Sequence, residues 1–350
     1  MSLPGSGLSG LDVLLTGHTG FKGAWLTRWL ERCGALVHGL ALDPEPGALY
    51  EAAGLAGSVR TDARVDVRDE AAVRRVLDET RPDVVLHLAA QPLVRASYRE
   101  PLETFATNVM GTAHVVRAAQ ETPSVRALVV VTTDKVYRNV EQVWGYRESD
   151  PLGGDDPYSA SKACAEIVTA SLAHSFPRPD IAVATARAGN VIGGGDVSPD
   201  RLLPNLLDAF ASGEAAVLRF PQAVRPWQHV VEPLAGYLVL AENLLAGRSS
   251  GAWNFGPLND GLRTVAEVAD LAARVWGDGA SWHVPPGQDN PHEAGLLMLD
   301  PALAIARLGW RPRLDVQQAV EWTVEFTRRY RDGEPARALV DEQLDRYAAL

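Results

Sequence analysis

Tyr158 and Lys162 bracket the run Tyr-Ser-Ala-Ser-Lys. That four-residue spacing puts a phenol and an ammonium on one face of a helix. An ammonium in that place favours phenolate, so the tyrosine can move protons near neutral pH. A Tyr-x-x-x-Lys pair alone is equally a helix surface; its chemical meaning depends on what precedes it. Here it follows the apolar run 127–131, which ends on Thr132 and Thr133.

A second cluster lies near the start of the chain. Gly17-His18-Thr19-Gly20-Phe21-Lys22-Gly23 follows an apolar strand-like run and opens a helical pattern. Glycines at this spacing let backbone N–H groups approach a pyrophosphate at the positive end of a helix, where a Cβ would obstruct the turn. Asp43 ends the next strand-like run, twenty residues beyond Gly23. A carboxylate there accepts hydrogen bonds from an adenosine ribose and repels a 2′-phosphate, which favours NAD over NADP. The alternative is that Asp43 only opens the Asp43-Pro44 turn. Asp66 is open to two uses, contact with adenine or a helix cap.

These residues need a frame. Strands are expected at 13–16, 36–42, 84–88, 127–131 and 181–185, and helices at 21–33, 102–121 and 158–175, with Gly34 stopping the first. Asp69 is expected to cap a further helix that runs to about Thr80, ahead of Pro82. Strands this apolar must be covered on both faces, and the alternating β-α order predicts an α/β fold with a doubly wound parallel sheet. After Arg187 the rhythm breaks into loops containing Gly, Pro and Trp. The expected organisation is a flexible stretch at 1–10, a dinucleotide-binding domain at 11–187, and a smaller, mainly substrate-binding lobe at 188–350. Segments around 224–257 are expected to return to the first domain.

Composition sets outer bounds. The chain has 350 residues, 46% of them hydrophobic, a length that suggests about two domains. A formal charge of −11 argues against nucleic acid as the main partner. Its 2 cysteines, Cys33 and Cys164, have neither metal-ligand spacing nor the makings of a disulfide framework, which fits a reducing compartment. No metal site, signal peptide or membrane-spanning run is expected. A cytoplasmic location follows as the expectation.

The ordered series of loop motifs is more specific than any one of them. Besides the stretches above it includes His87-Leu-Ala-Ala-Gln-Pro-Leu-Val94, Thr107-Asn-Val-Met-Gly-Thr112, Thr132-Thr-Asp-Lys-Val-Tyr137 and Trp144-Gly-Tyr-Arg-Glu148. Ala186-Arg-Ala-Gly-Asn-Val-Ile-Gly-Gly-Gly-Asp196, Arg225-Pro-Trp-Gln-His229 and Pro291-His-Glu-Ala-Gly295 complete it. From about Val13 to Trp310 the sequence resembles the extended short-chain dehydrogenase/reductase superfamily and, within it, the CDP-glucose 4,6-dehydratases. The Asp134-Lys135 pair carries the narrower resemblance, since related sugar-nucleotide dehydratases have Asp-Glu there. Thr133, Val136 and Val197 stand where that branch usually has Ser, Cys and Trp.

The resemblance implies a Rossmann-type domain and a nucleotide-sugar substrate that is oxidised at carbon 4, loses water across carbons 5 and 6, and regains hydride at carbon 6. Thr133, Asp134, Lys135, Tyr158 and Lys162 are then the expected catalytic set. Tyr158 takes the 4-hydroxyl proton, and Asp134 protonates the departing 6-hydroxyl if burial raises it above about 3.9. Lys135 serves the carbon 5 step as a desolvated base, or as a cation stabilising the enolate while water takes the proton. The implied NAD shell is Gly17, Thr19, Gly20, Phe21, Lys22, Gly23, Asp43, Asp66, Val67, Ala89, Ala90, Gln91, Asn108 and Thr132, with Tyr158 and Lys162. Asn190, Arg201, Arg225 and Asn254 are the implied substrate contacts. Arg225 is the diphosphate clamp or, alternatively, a solvated loop residue; His229 is expected to be structural. The helices at 102–121 and 158–175 are where this superfamily dimerises, which implies a homodimer. An epimerase, a dehydratase for another nucleotide, and a non-catalytic NAD-binding regulator are the competing readings.

Overall fold

A computed structural model describes residues 3–258, 262–285 and 295–350, so the 291–295 motif lies, except for Gly295, outside the described residues. Seven strands make the central sheet: β1 (Asp12–Thr16), β2 (Leu36–Ala41), β3 (Thr61–Arg64), β4 (Val84–His87), β5 (Ala127–Val131), β6 (Ala182–Ala188) and β7 (Gly251–Phe255). Their spatial order is β3-β2-β1-β4-β5-β6-β7, with every pair parallel. The order reverses between β1 and β4. A crevice opens at that switch point, beyond the carboxyl ends of the strands, where doubly wound folds bind ligands.

Helices cover both faces, because β1, β4 and β5 bury nearly every side chain. On one face α1 (Phe21–Arg32) buries Trp25, Leu26, Trp29 and Leu30. On the other, α2 (Glu70–Thr80) and α3 (Gly111–Glu121) close over Leu14, Val85 and Leu128. Asp69 caps α2 by accepting the Ala72 N–H, and Gly34, at φ 78°, ends the first helical segment as the sequence suggests.

The long helix expected over 102–121 is not continuous. Pro101–Phe105 runs into a π-helical turn at Ala106–Met110 before α3 begins. Asn108 sits in that turn. Its amide accepts the Gln91 N–H at 2.8 Å and donates to the Gln91 carbonyl at 3.1 Å and to Ser161 Oγ at 2.9 Å. The π turn widens the helix where these tertiary bonds pull on it, a common arrangement near functional sites. Strand β3 was not expected; its Thr-Asp-Ala-Arg sequence alternates half-buried and exposed residues at the sheet edge.

α4 (Pro157–Ser175) packs beside α3, and α5 (Leu202–Ala211), α6 (Val231–Leu245), α7 (Val265–Trp276), α8 (Val316–Arg331) and α9 (Ala336–Ala349) complete the chain. The smaller lobe has its own core, in which Leu203, Leu206 and Phe210 meet Trp227, Val268, Trp276 and Val320. Within the stretch expected to return, α6 packs on β5 and β6, and β7 extends the sheet beyond β6.

Two further placements bear on the expected organisation. α9 lies on α1, where Tyr347 meets Trp29 edge-on and Asp341 takes two hydrogen bonds from Arg28, and it also packs on α8. The apolar positions Leu339, Val340, Leu344 and Tyr347 drive this packing. The described part of the 1–10 stretch packs on α1. Ser6–Leu8 forms a 3-10 turn, Leu8 is buried, and the Pro4 carbonyl accepts the Trp29 indole N–H at 3.0 Å.

Candidate active site

Gly17, directly after β1, has a φ of 74°, and a Cβ on it would stand 2.8 Å from the Ala89 nitrogen across the crevice. A Cβ on Gly23 would come within 2.0 Å of the Gly17 carbonyl oxygen. The turn therefore closes only with glycine at both places. Gly20, the N-cap of α1, receives no side-chain cap, and a Cβ on it would meet only the Gly17 carbonyl, at 3.5 Å. Uncapped N–H groups of a twelve-residue helix thus face open space at its positive end. That cradle fits a dinucleotide pyrophosphate.

Around it, Thr19 Oγ1 donates to the Leu42 carbonyl at 3.0 Å, tying the loop to the end of β2. Asp43 follows there, largely exposed, with Arg64 3.7 Å from its carboxylate. Asp66 is bound by Arg68, which holds its carboxyl below the usual range. Val67 is buried against Gly111. Gln91 is fixed by Asn108, while Ala89 and Ala90 line the turn after β4.

Sequence reasoning missed part of this rim. His18 is fully buried, 2.8 Å from Asp62 of β3, and Tyr50 donates to the same carboxylate. Finding that pair would have required recognising β3.

The catalytic candidates converge from β5 and α4. Asp156 caps α4 by accepting the Ser159 N–H at 2.9 Å, and Pro157 occupies its first turn. Tyr158 therefore sits at the very start of the helix, its N–H bonded to Ser97 Oγ at 3.2 Å. One turn on, Lys162 Nζ donates to the Val131 carbonyl at 3.2 Å. Thr133 Oγ1 donates to Asp134 Oδ1 at 2.9 Å, and its hydroxyl acts on the Tyr158 phenol, opposing the rise that burial causes. Asp134 is buried, and its other oxygen, Oδ2, has no hydrogen-bond partner among the described residues.

Charge in this cluster is set mainly by burial. It pushes Asp134 up from the ordinary carboxylate range, against the pull of Lys135, Thr133 and Arg225. It lowers Lys162 to about 8, opposed by the Glu166 carboxylate. Lys22, which donates to Tyr237 at 3.4 Å, falls to about 7 through burial and then repulsion from Arg201 and Lys162.

Tyr158 departs from expectation. Burial raises its phenol, and the cation that opposes this is Arg201 rather than Lys162, whose ammonium is turned to the Val131 carbonyl.

Of the substrate candidates, Arg201 precedes α5 and bonds the Pro92 carbonyl at 3.4 Å, with its charge acting on Tyr158 and Lys22. Arg225 is 3% exposed, which rules out a solvated loop residue, and its charge reaches Asp134. Asn190 is half-buried, its carbonyl accepting the Gln228 N–H. Asn254 is fully buried, its Oδ1 accepting from Tyr137 and its Nδ2 donating to the Tyr146 and Asp300 carbonyls, so its amide braces these segments together. His229 is buried between Trp25 and Trp322, with its imidazole pushed down to about 3.

A further buried group escaped the sequence reading. Glu166 lies one turn beyond Lys162 and accepts from Thr132, Thr185 and, through two nitrogens, Arg187. Its partners come from β6 and the end of β5, so only the fold brings them together.

The chain is similar to proteins of known type. A CDP-glucose 4,6-dehydratase from Salmonella typhimurium is 44% identical over 334 residues, 93% of this chain and 92% of that protein. A UDP-glucose-4-epimerase from Stenotrophomonas maltophila, solved with NAD, superposes with a TM-score of 0.81 at 23% identity, over 93% of this chain and 100% of that one. A dTDP-glucose 4,6-dehydratase from Streptomyces venezuelae, also solved with NAD, gives 0.79 at 24% identity, over 92% and 98%. At such identities the two structures speak for the fold. The model of the NAD dependent epimerase/dehydratase family matches residues 13–256. With the glycine cradle, the Tyr158–Lys162 pair and that match in agreement, the chain belongs to the NAD dependent epimerase/dehydratase family.

Proposed function

We propose that the protein is a CDP-glucose 4,6-dehydratase, forming CDP-4-keto-6-deoxyglucose. The observation that carries it is Asp134, buried, raised toward the protonated form, and with Oδ2 left unpartnered beside Tyr158. An epimerase needs Tyr158 and Lys162 but has no use for a buried acid there. The Salmonella relative supports cytidine and glucose as the substrate's parts.

The 17–23 loop, Asp43 and Lys162 would hold NAD, which would supply a hydride acceptor for carbon 4 and a donor for carbon 6. The chain's own groups do the rest. Tyr158 Oη accepts the 4-hydroxyl proton; burial raises its phenol, and the Arg201 charge opposes that rise. The 4-keto group then acidifies the carbon 5 proton. Asp134 gives its proton to the 6-hydroxyl, which leaves as water. Lys135 assists proton loss from carbon 5, either as the base that takes the proton or as the cation beside the enolate while water takes it. Arg201 and Arg225 hold the diphosphate, Arg225 through a guanidinium matched to phosphate oxygens, and Asn190 contacts the sugar.

The same proposal includes a cytoplasmic homodimer. Leu102, Met110, Ile167 and Phe176 are 82%, 51%, 56% and 51% exposed along the two helical segments expected to pair. An apolar set of that size, on adjacent helices, favours a second copy as cover. No helix among the described residues is long and apolar enough to cross a membrane. Incubation with CDP-, dTDP- and UDP-glucose, followed by detection of the 4-keto product, tests the substrate; sedimentation tests the dimer.

A further inference from the structure

Glu166 is 4% exposed and wholly committed. One oxygen accepts from Thr132 Oγ1 at 2.5 Å and Arg187 Nε at 2.9 Å; the other accepts from Thr185 Oγ1 at 2.6 Å and Arg187 Nη2 at 2.9 Å. Thr132 lies between Val131, whose carbonyl receives the Lys162 ammonium, and Thr133, which bonds Asp134 and acts on the Tyr158 phenol. The carboxylate therefore grips the middle of the segment from which three catalytic contacts depart. It also stands one helical turn from Lys162, on the same face of α4.

We propose that Glu166 is a positioning residue, which clamps the Thr132 end of β5 to α4 and keeps the Lys162 ammonium charged. It rests on Lys162 acting at the cofactor, as in the function proposed above.

Besides pairing with Arg187, the Glu166 carboxylate acts on Lys162, one turn away on α4, and opposes the loss of its charge. Arg187 balances Glu166, so replacing the carboxylate leaves two buried cations, Arg187 and Lys162, without it. Both effects drive Lys162 toward the neutral amine. The other groups around Lys162 do not mimic this. Lys22 on α1 loses its charge near 7, below the transition of Lys162 near 8. His87 at the end of β4 is held neutral by burial, at about 3. Tyr158 on α4 itself is raised, and the charge of Asp134, after β5, acts on Tyr158 and is itself opposed by Lys135 and Arg225.

NAD affinity measured by titration across pH, with no sugar present, tests the proposal separately from the substrate assignment. In the unaltered protein, affinity should fall as pH rises through about 8. Glu166→Gln should move that fall to lower pH by about half a unit or more. Thr185→Val, which removes one bond and keeps the charge, should leave the midpoint in place. Glu166→Asp, which withdraws the carboxylate, should shift the midpoint in the same direction by less, and it serves if the Gln variant does not fold. Loss of affinity by one constant factor at every pH in the Glu166 variants, or an equal midpoint shift in Thr185→Val, would overturn the proposal. A dehydratase assignment that fails on every sugar nucleotide leaves these binding curves unaffected.

Discussion

Asp134 and Gly189 face each other so closely that a Cβ on Gly189 would stand 3.1 Å from Asp134 Oδ2, the oxygen without a hydrogen-bond partner among the described residues. The same Cβ would meet the Pro226 ring at 2.6 Å. The absent side chain thus preserves space beside the one buried acid oxygen that is free to give up a proton. Gly189→Ala should push Asp134 and Pro226 apart, costing about 1–3 kcal/mol of stability as an overpacked site. It should also lower turnover. Thermal unfolding and turnover measured on one preparation check both, and an unchanged rate would show that Asp134 does not need this space.

Asp134→Asn should leave oxidation at carbon 4 intact, since Tyr158 and Lys162 are untouched, and slow the loss of water by about 10²–10⁴-fold. Reduced cofactor should therefore accumulate in a single turnover, visible by its absorbance. Full-speed product formation would remove Asp134 from the acid role. Lys135→Met should likewise slow exchange of the carbon 5 proton, in either of its two roles.

Tyr158→Phe should retain binding of cofactor and sugar nucleotide while cutting the first hydride transfer by about 10²–10⁴-fold. Equilibrium binding and single-turnover oxidation separate the two effects. A near-normal oxidation rate would place the base elsewhere.

The cofactor loop and the Tyr158–Lys162 pair were legible because their requirements are local: a positive φ at Gly17, a helix start at Gly20, a four-residue spacing on α4. What escaped depends on contacts distant in sequence. β3 has no apolar run to announce it, and the π turn at Asn108 is imposed by Gln91 and Ser161. Asn254 came from the resemblance; the partners of its amide, Tyr137, Tyr146 and Asp300, all lie over 40 residues away and only the fold assigns them. Glu166 could have been suspected from its place four residues beyond Lys162, but Arg187 and Thr185 could not have been assigned to it.

Cofactor choice should follow Asp43. Asp43→Ala should weaken NAD binding and reduce discrimination against NADP, because the carboxylate no longer binds the ribose or repels a 2′-phosphate. Equal affinity for both in the unaltered protein would sink the role.

Stability should carry a signature of Glu232. Its buried carboxyl accepts the Arg313 and Leu314 N–H groups and the Tyr347 hydroxyl, and burial raises it from 4.5 to about 7. Between those values the folded chain binds a proton that the unfolded chain does not. Its contribution is therefore full below about 4.5 and is lost as pH rises toward 7, with a limiting slope of about 1.4 kcal/mol per unit. Glu232→Gln should remove that component. Denaturant unfolding of both proteins across this window checks it; parallel pH profiles would contradict it.

The chemistry itself is tested most directly in heavy water. CDP-glucose carrying deuterium at carbon 4 is converted in ordinary water, unlabelled CDP-glucose in deuterium oxide, and the products are read by NMR. A dehydratase built on Tyr158, Asp134 and Lys135 moves the carbon 4 label to carbon 6 within one molecule, and it places one solvent deuterium at carbon 5 of a 4-keto-6-deoxy sugar. Recovery of only a stereoisomer of the starting sugar, its 6-hydroxyl still present, would contradict it.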